Sequence, residues 1–306
     1  MSQYTAQSLR LRHFQYVSAV ANTGSFTKAA ALCHVTQSTL SLGVKEFEDT
    51  LGQQIFDRTS RKITLTAFGE SLLTDIRDIL DKAEGLLTRA RQNKGQYSGP
   101  YRLGAIPTIA PYMIPVILPE LTKNHPELDL RLKESTSETL VQDVQDGAID
   151  AALLAFPYDT GTLATQIIGE ERFYLLRPKS GRPATILNSD EIDADKLMLL
   201  EDGHCLRDHA LAVCARQDRE SRQTYQATSL TTLVQLVSHG FGTTLLPAMA
   251  VHEMPLPDDL EAVPVGGDQP GRHIGLIWRR KSPLASLTGA LGREIENIET
   301  LAGLLQ

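Results

Sequence analysis

The chain has 306 residues, of which 42% are hydrophobic and 22% charged, a composition typical of a globular protein with two or three domains. No segment approaches the roughly 18 consecutive apolar residues of a membrane span, and the first residues do not resemble a signal peptide, so we expect a cytoplasmic protein. The net charge of −7 is unevenly distributed, with a positive surplus up to Lys94 and a negative surplus after it. Only the first part is therefore suited to contact with phosphates.

The first third of the chain is predicted to be helical. Phe14, Val17 and Val20 recur at helical spacing and indicate a first helix. After a break, Ser25 is expected to cap a second helix over residues 26–32. Thr36 is expected to cap a third helix that ends at residue 51, before a glycine.

The third helix is predicted to have two faces. Leu40, Val44, Phe47 and Leu51 form an apolar stripe, and the residues mostly opposite it are polar or basic. A short turn between two helices, followed by a polar exposed start, is typical of a helix-turn-helix that enters the DNA major groove. An ordinary solvated helix face is the alternative. The candidate DNA contacts are Gln37, Ser38, Thr39, Ser41 and Lys45.

A short wing and a long helix are expected next. Residues 56–65 resemble a hairpin with a basic tip, in which Arg58, Arg61 and Lys62 are suited to hold phosphates. A long helix is then predicted from residue 66 to about residue 91. Its apolar residues follow the 3-4 spacing of a two-helix coil and predict a dimer, although packing on its own domain is the alternative. They are Leu73, Ile76, Leu80, Ala83 and Leu87.

The rest of the chain alternates predicted strands and helices, which indicates an α/β domain after a polar hinge over residues 95–100. Strands are predicted near residues 101–106, 128–132, 148–156, 173–176, 197–200, 243–246 and 273–278. Helices are predicted from residue 111, over residues 230–237, and as one closing helix over residues 286–305. The fold class is therefore mixed, with an all-α winged helix-turn-helix and linker helix before an α/β domain.

The helix-turn-helix resembles that of LysR-type transcriptional regulators. The matching residues are Ala29-Ala30, Thr36 to Ser41, Phe47-Glu48, Leu51-Gly52 and Phe56-Asp57-Arg58, and Ser38 stands where many members have proline. The resemblance implies a DNA-binding domain over residues 1–66, a dimerising helix over residues 67–94, and an effector domain resembling periplasmic binding proteins. It divides that domain into subdomain I, residues 101–167 and 272–306, and a redox-active subdomain II, residues 168–271.

A second resemblance concerns the cysteines. Residues 199–208, with Cys214 nine positions after Cys205, are similar to the redox segment of OxyR-type peroxide sensors within this family. The resemblance implies that Cys205 reacts with hydrogen peroxide and that Cys214 then forms a disulfide with it. Supporting roles are implied for Thr108, Ser137, His204, Arg207 and Arg272. No cofactor is expected.

Spacing favours a switch over a permanent bond, provided that the reduced segment is helical. Nine residues of helix separate two positions by about 13 Å, whereas a disulfide needs Cα atoms within about 7 Å. The segment between the cysteines would then have to refold on oxidation.

Several alternatives remain open. The chain could instead bind a small metabolite between the effector subdomains, or be a thiol peroxidase, although we expect no enzyme activity. A metal site at His204, Cys205 and His209 lacks a fourth ligand. Cys33 is expected to be a core residue. Expected partners are promoter DNA, hydrogen peroxide, further copies in a dimer or dimer of dimers, RNA polymerase, and a reductant such as glutaredoxin or thioredoxin.

Overall fold

The computed structural model describes residues 9–57, 63–92, 99–179, 186–193, 195–201, 203, 205–213, 227–266 and 271–305. The chain divides into two compact units, Met1–Asn93 and Lys94–Gln306. Among the described residues, no helix is both long enough and apolar enough to cross a bilayer.

The first unit is a winged helix-turn-helix followed by a long helix. Its elements are α1 (Leu11–Thr23), α2 (Phe26–Leu32), α3 (Gln37–Leu51), β1 (Phe56–Asp57), β2 (Thr64–Leu65) and α4 (Ala67–Gln92). The predicted caps are present: Ser25 Oγ accepts from the N–H of Lys28 at 3.4 Å, and Thr36 Oγ1 from that of Thr39 at 3.2 Å. Gly52 ends α3 with φ of 67°, a left-handed conformation that glycine adopts without strain.

The core of this unit holds α3 in place. Leu40, Val44 and Phe47 are buried, as the apolar stripe predicted. Glu48 is buried as well, and its carboxylate accepts from the N–H groups of Ile55 at 2.9 Å and Phe56 at 3.2 Å. The same carboxylate therefore fixes the start of the wing, where β1 pairs with β2 in antiparallel register.

The first part of α4 packs on its own unit. Ile76 is buried in the core of the first unit, Leu80 packs against that core, and Leu73 is 8% exposed. This part of α4 therefore follows the alternative prediction, in which the helix packs on its own domain. Leu86 and Leu87, further along α4, are exposed at 65% and 53%.

The second unit is built around one curled mixed sheet. Its strands are β3 (Gly99–Ala105), β4 (Leu128–Glu134), β5 (Ala151–Phe156), β6 (Ala164–Pro178), β7 (Leu187–Asn188), β8 (Leu197–Met198), β9 (Thr243–Pro247), β10 (Leu260–Gly266) and β11 (Gly271–Trp278). Its helices are α5 (Ala110–Asn124), α6 (Ser137–Asp146), α7 (Cys205–Val213), α8 (Leu230–Ser238), α9 (Ala248–Glu253), α10 (Ala285–Glu296) and α11 (Glu299–Leu305). The strand order is β4-β3-β5-β11-β6-β10-β7, with β9 also paired to β6 and β8 to β9.

The long strand β6 passes through two hydrophobic cores. Its first part pairs with β11, and its second part pairs with β10 and β9. Ile168 belongs to the first core, formed mainly by β3, β5, β11, α5, α10 and α11. Phe173 belongs to the second core, formed mainly by β9, β10 and α8.

The sequence prediction was wrong in detail at two of these elements. The strand predicted over residues 173–176 is only part of β6, because residues 164–172 pair with β11 and continue the same strand. The single closing helix is two helices. Asn297 interrupts it by donating from its side-chain amide to the Arg293 carbonyl at 2.7 Å, which terminates α10. The elements α6, α9, β7 and β10 were not predicted.

Candidate functional site

The exposed face of α3 carries the residues predicted to contact DNA. Gln37, Ser38, Thr39 and Lys45 are exposed, and Ser41 is half-buried. The hydroxyl of Thr36 lies 2.9 Å from that of Ser38 and 2.8 Å from that of Thr39. The first turn of the helix is therefore a dense set of hydroxyl groups. Arg58, Arg61 and Lys62 lie outside the described residues.

Cys205 is the first residue of α7 and is 3% exposed. It follows Gly203, whose φ of 92° turns the chain into the helix in a conformation that other residues rarely adopt. The side chain of Cys205 belongs to the first core, whereas Leu206 and Ala210 of the same helix belong to the second core. The thiol therefore lies where the two cores of this unit meet. His204 and Cys214 lie outside the described residues.

Arg272 brings a buried positive charge to this region. Its Nη1 donates to Thr108 Oγ1 at 2.9 Å, and its Nη2 to the Thr108 carbonyl at 3.0 Å. Its Nε donates to Glu171 Oε2 at 2.7 Å, and both side chains of this ion pair are fully buried. Since Arg272 pairs directly with Glu171 across β11 and β6, the sheet register itself sets this geometry.

Glu171 is a site residue that sequence reasoning missed. Its Oε1 accepts from the N–H of Met249 in α9 at 2.9 Å, so its carboxylate joins α9 to Arg272 and, through Arg272, to Thr108. Burial raises the pKa of Glu171, and the charge of Arg272 is the largest opposing effect. The sequence holds no local signal for this pair, because its members are 101 residues apart.

Two opposing effects act on the Cys205 thiol. Burial is the larger and raises its pKa, because the thiolate is disfavoured away from water. The charge of Arg272 is the main effect that lowers it, followed by the Ser137 hydroxyl and the backbone at Ala155. The sequence analysis named Arg207 and Arg272 as supporting residues. Arg272 is the one whose charge favours the thiolate. Arg207 is half-buried on α7.

Ser137 contributes a buried hydroxyl beside the thiol. It is the first residue of α6, after the capping residue Thr136, and is 1% exposed. Its Oγ has no nitrogen or oxygen partner at hydrogen-bond geometry among the described residues. Thr108 is 2% exposed, and because its Oγ1 accepts from Arg272, its own hydroxyl proton is free to be donated. One buried hydroxyl, that of Ser137, thus lies beside the sulfur, and a second, that of Thr108, is bound to the arginine whose charge acts on it.

His209 holds α7 against the end of β5. Its Nε2 lies 2.9 Å from the Pro157 carbonyl, so this nitrogen carries the proton. Its Nδ1 is buried without a partner among the described residues. Burial lowers the pKa of His209, which keeps the ring neutral near pH 7.

The other described cysteine is Cys33, in the first unit. Cys33 is half-buried and packs against the core of the first unit, where burial raises its pKa. Among the described residues, no three His, Cys, Asp or Glu side chains lie close enough together to hold a metal ion. A cavity of about 1230 Å³ lies beside β6 and β11, and its wall includes the ionisable side chains of Glu170, Arg172, His273 and Glu296.

Comparisons with known proteins agree with this architecture. Residues 11–70 match the family of bacterial regulatory helix-turn-helix proteins of the lysR family, and residues 94–297 match the LysR substrate binding domain. The chain is 38% identical over 279 residues to the HTH-type transcriptional regulator EstR of Acinetobacter baylyi, covering 90% of this chain and 92% of that protein. It is 35% identical over 282 residues to the DNA-binding transcriptional dual regulator OxyR of Escherichia coli, covering 91% and 92%.

A solved structure extends the similarity to the whole fold. The full-length OxyR of Pseudomonas aeruginosa, in a variant with aspartate in place of a cysteine, matches with a TM-score of 0.79 and 31% identity. The match covers 95% of this chain and 96% of that one. The mixed fold predicted from the sequence is therefore confirmed.

Proposed function

Because the chain belongs to the LysR family of DNA-binding transcriptional regulators, we propose that it is a cytoplasmic regulator that senses hydrogen peroxide through Cys205. The observation that carries the proposal is a buried thiol at the start of α7, acted on by the Arg272 charge and the Ser137 hydroxyl, with the Thr108 hydroxyl bound to the same arginine. Relatives named OxyR or hydrogen peroxide-inducible genes activator support it. The protein acts by changing transcription, not as an enzyme.

The first chemical step takes place at the Cys205 sulfur. The thiolate attacks one oxygen of hydrogen peroxide, an S–O bond forms as the O–O bond breaks, and a sulfenic acid results. The departing hydroxide takes up the proton that the thiol released and leaves as water. Arg272 favours the thiolate, and the hydroxyl groups of Thr108 and Ser137 position the peroxide oxygens. His204 and Arg207 remain candidates for supporting roles.

The second step links the two cysteines and requires α7 to unwind. The Cys214 thiolate attacks the sulfur of the sulfenic acid, the S–S bond forms, and hydroxide leaves and is protonated to water. The helix α7 runs without interruption from Cys205 to Val213, and eight steps of about 1.5 Å separate these two residues by about 12 Å. A disulfide needs Cα atoms within about 7 Å. Oxidation would therefore break α7 and withdraw the Cys205 side chain from the first core.

The refolded segment changes how the regulator acts at promoters. When α7 loses its contacts, the balance between two conformations of the effector domain shifts. The shift is transmitted to the DNA through a dimer or dimer of dimers joined by α4. RNA polymerase then responds to the altered complex. A dithiol reductant of the glutaredoxin or thioredoxin class restores the two thiols and is itself oxidised to a disulfide.

Mapping of thiols by mass spectrometry tests the proposal. After brief exposure to micromolar peroxide, we expect a peptide linkage between Cys205 and Cys214 in the full chain and in a Cys33→Ser variant. In Cys214→Ser, Cys205 should instead stop at the sulfenic acid, trapped by dimedone. A peroxide-responsive reporter that still responds in Cys205→Ser would refute the proposal.

The wing has its own test. We propose that Arg58, Arg61 and Lys62 bind phosphates, as their basic character in a hairpin tip predicts. Arg61→Ala should weaken binding to all duplexes alike and reduce the slope of log affinity against log salt by about one. A change in sequence preference with an unchanged salt slope would contradict this role.

The cavity beside β6 and β11 supports a second candidate function. A space of about 1230 Å³ with charged groups in its wall is large enough for a small metabolite. In that case Cys205→Ser would keep its response to an inducer present in cell extract, and peroxide would have no effect on the native chain. Loss of the response in Cys205→Ser favours the thiol mechanism instead.

A further inference from the structure

An exposed leucine lies on the DNA-binding helix. Leu42 is 58% exposed, whereas Leu40, Val44 and Phe47 of the same helix are at most 1% exposed. Single exposed leucines are common on protein surfaces and by themselves indicate nothing. The position of Leu42 distinguishes it, because it shares its face of α3 with Ser38 four residues before and Lys45 three residues after, both exposed.

This face is the part of α3 that can enter the major groove. It points away from the core, and Leu42 lies in the N-terminal half of the helix, the half that reaches base edges in helix-turn-helix proteins. Glu46 and Asp49 are exposed on the later half. Their negative charges repel phosphates, which confines close contact with DNA to the part of the helix from Gln37 to Lys45.

Leucine can recognise only one feature of the groove. It has no hydrogen-bonding group, and the apolar group that the major groove displays is the 5-methyl of thymine. We propose that Leu42 packs against a thymine methyl in each half-site and so selects an A·T pair at that position.

The same contact discriminates against other bases. A leucine over guanine or cytosine would cover donors and acceptors without pairing them, which costs free energy. Leu42 therefore selects both by attraction to the methyl and by exclusion of polar edges. The inference rests on DNA binding by this family and not on the peroxide mechanism.

Replacing thymine by deoxyuridine tests the contact directly. Sequences are first selected from random duplexes with the full-length reduced protein, and each thymine of the preferred duplex is then changed singly to deoxyuridine, which removes only the methyl. At one thymine per half-site we expect affinity to fall about fourfold, from roughly 0.8 kcal/mol per buried carbon. In Leu42→Ala, the thymine and deoxyuridine duplexes should bind equally.

Ser38→Ala provides the matched control. It should weaken binding but keep the discrimination against deoxyuridine, because Ser38 offers a hydroxyl and not an apolar surface. The proposal is overturned if the native protein binds every deoxyuridine duplex as well as the original, or if Leu42→Ala still discriminates. Failure to enrich any sequence would overturn DNA recognition by α3 as a whole, whereas failure to respond to peroxide would leave this inference intact.

Discussion

The buried pair of Arg272 and Glu171 links the reactivity of one thiol to the stability of its domain. Arg272 satisfies Glu171 and Thr108 and is also the main positive charge acting on Cys205. Both charges are fully removed from water. Such a pair contributes little net stability compared with apolar residues, but losing one partner leaves a charge buried alone.

Stability of single and double variants should show this asymmetry. We expect Arg272→Met to lower the free energy of unfolding by about 3–5 kcal/mol, because Glu171 stays buried without its partner. Adding Glu171→Leu should recover most of that loss. Urea denaturation of the three proteins measures it, and a double variant no more stable than Arg272→Met would contradict the prediction.

The pH dependence of the rate at which Cys205 reacts with peroxide should follow the environment of the thiol. Burial raises the pKa of Cys205, so the thiolate fraction and the rate should keep rising as pH increases past the usual thiol range. In the folded double variant lacking Arg272 and Glu171, the profile should move to higher pH. Arg177→Met, which removes a partly exposed pair with Glu261, serves as control and should leave the profile in place.

At the scale of elements, α7 combines two requirements that oppose each other. It must hold Cys205 in the first core while Leu206 and Ala210 pack in the second, and it must unwind if a disulfide is to form. The bond from His209 to the Pro157 carbonyl anchors its middle. A short helix is suited to a segment that refolds at modest cost, because few residues have to change conformation.

His209 should make the stability of the effector domain sensitive to acid. Its pKa is lowered on folding, so its contribution is complete above the ordinary value of 6.5 and is lost as pH falls through the lower folded value. We expect melting temperature to drop between about pH 7.5 and about pH 5.5, and His209→Gln to reduce that drop. His239→Gln, at an exposed histidine, should leave the drop in melting temperature unchanged. An unaltered drop in His209→Gln would refute this assignment.

At the scale of the whole molecule, α4 has two uses along its length. Leu73 and Ile76 are buried, and Ile76 belongs to the core of the first unit, but Leu86 and Leu87 are exposed. An apolar surface on a long helix favours pairing with a second copy. Two paired recognition helices would match a two-fold operator.

Association in solution should depend on the exposed part of α4. We expect Leu87→Glu to weaken self-association by at least tenfold, because a charge would be buried between helices. Ile186→Glu, at a residue 63% exposed in the second unit, is the control and should leave association unchanged. Sedimentation equilibrium measures both. A Leu87→Glu variant that associates like the native chain would show that the dimer forms elsewhere.

Local signals carried most of the prediction for the first unit. Caps at Ser25 and Thr36 and the stripe from Leu40 to Phe47 act over three to seven residues, so spacing alone defined the helices. In the second unit, the sequence could not predict which distant segments pair with each other, and this limited the prediction of the strands. The full length of β6 depends on β11, about 100 residues later, and the break at Asn297 depends on a side-chain bond that composition does not reveal.

The sequence by itself determined the family and the helix-turn-helix, because these rest on short motifs whose residues are neighbours in the chain. Only the tertiary structure decided the surroundings of Cys205. Burial raises its pKa, and Arg272, held by Glu171 across two strands, opposes that rise. These effects depend on distance through space and on exclusion of water, and neither follows from the order of residues alone.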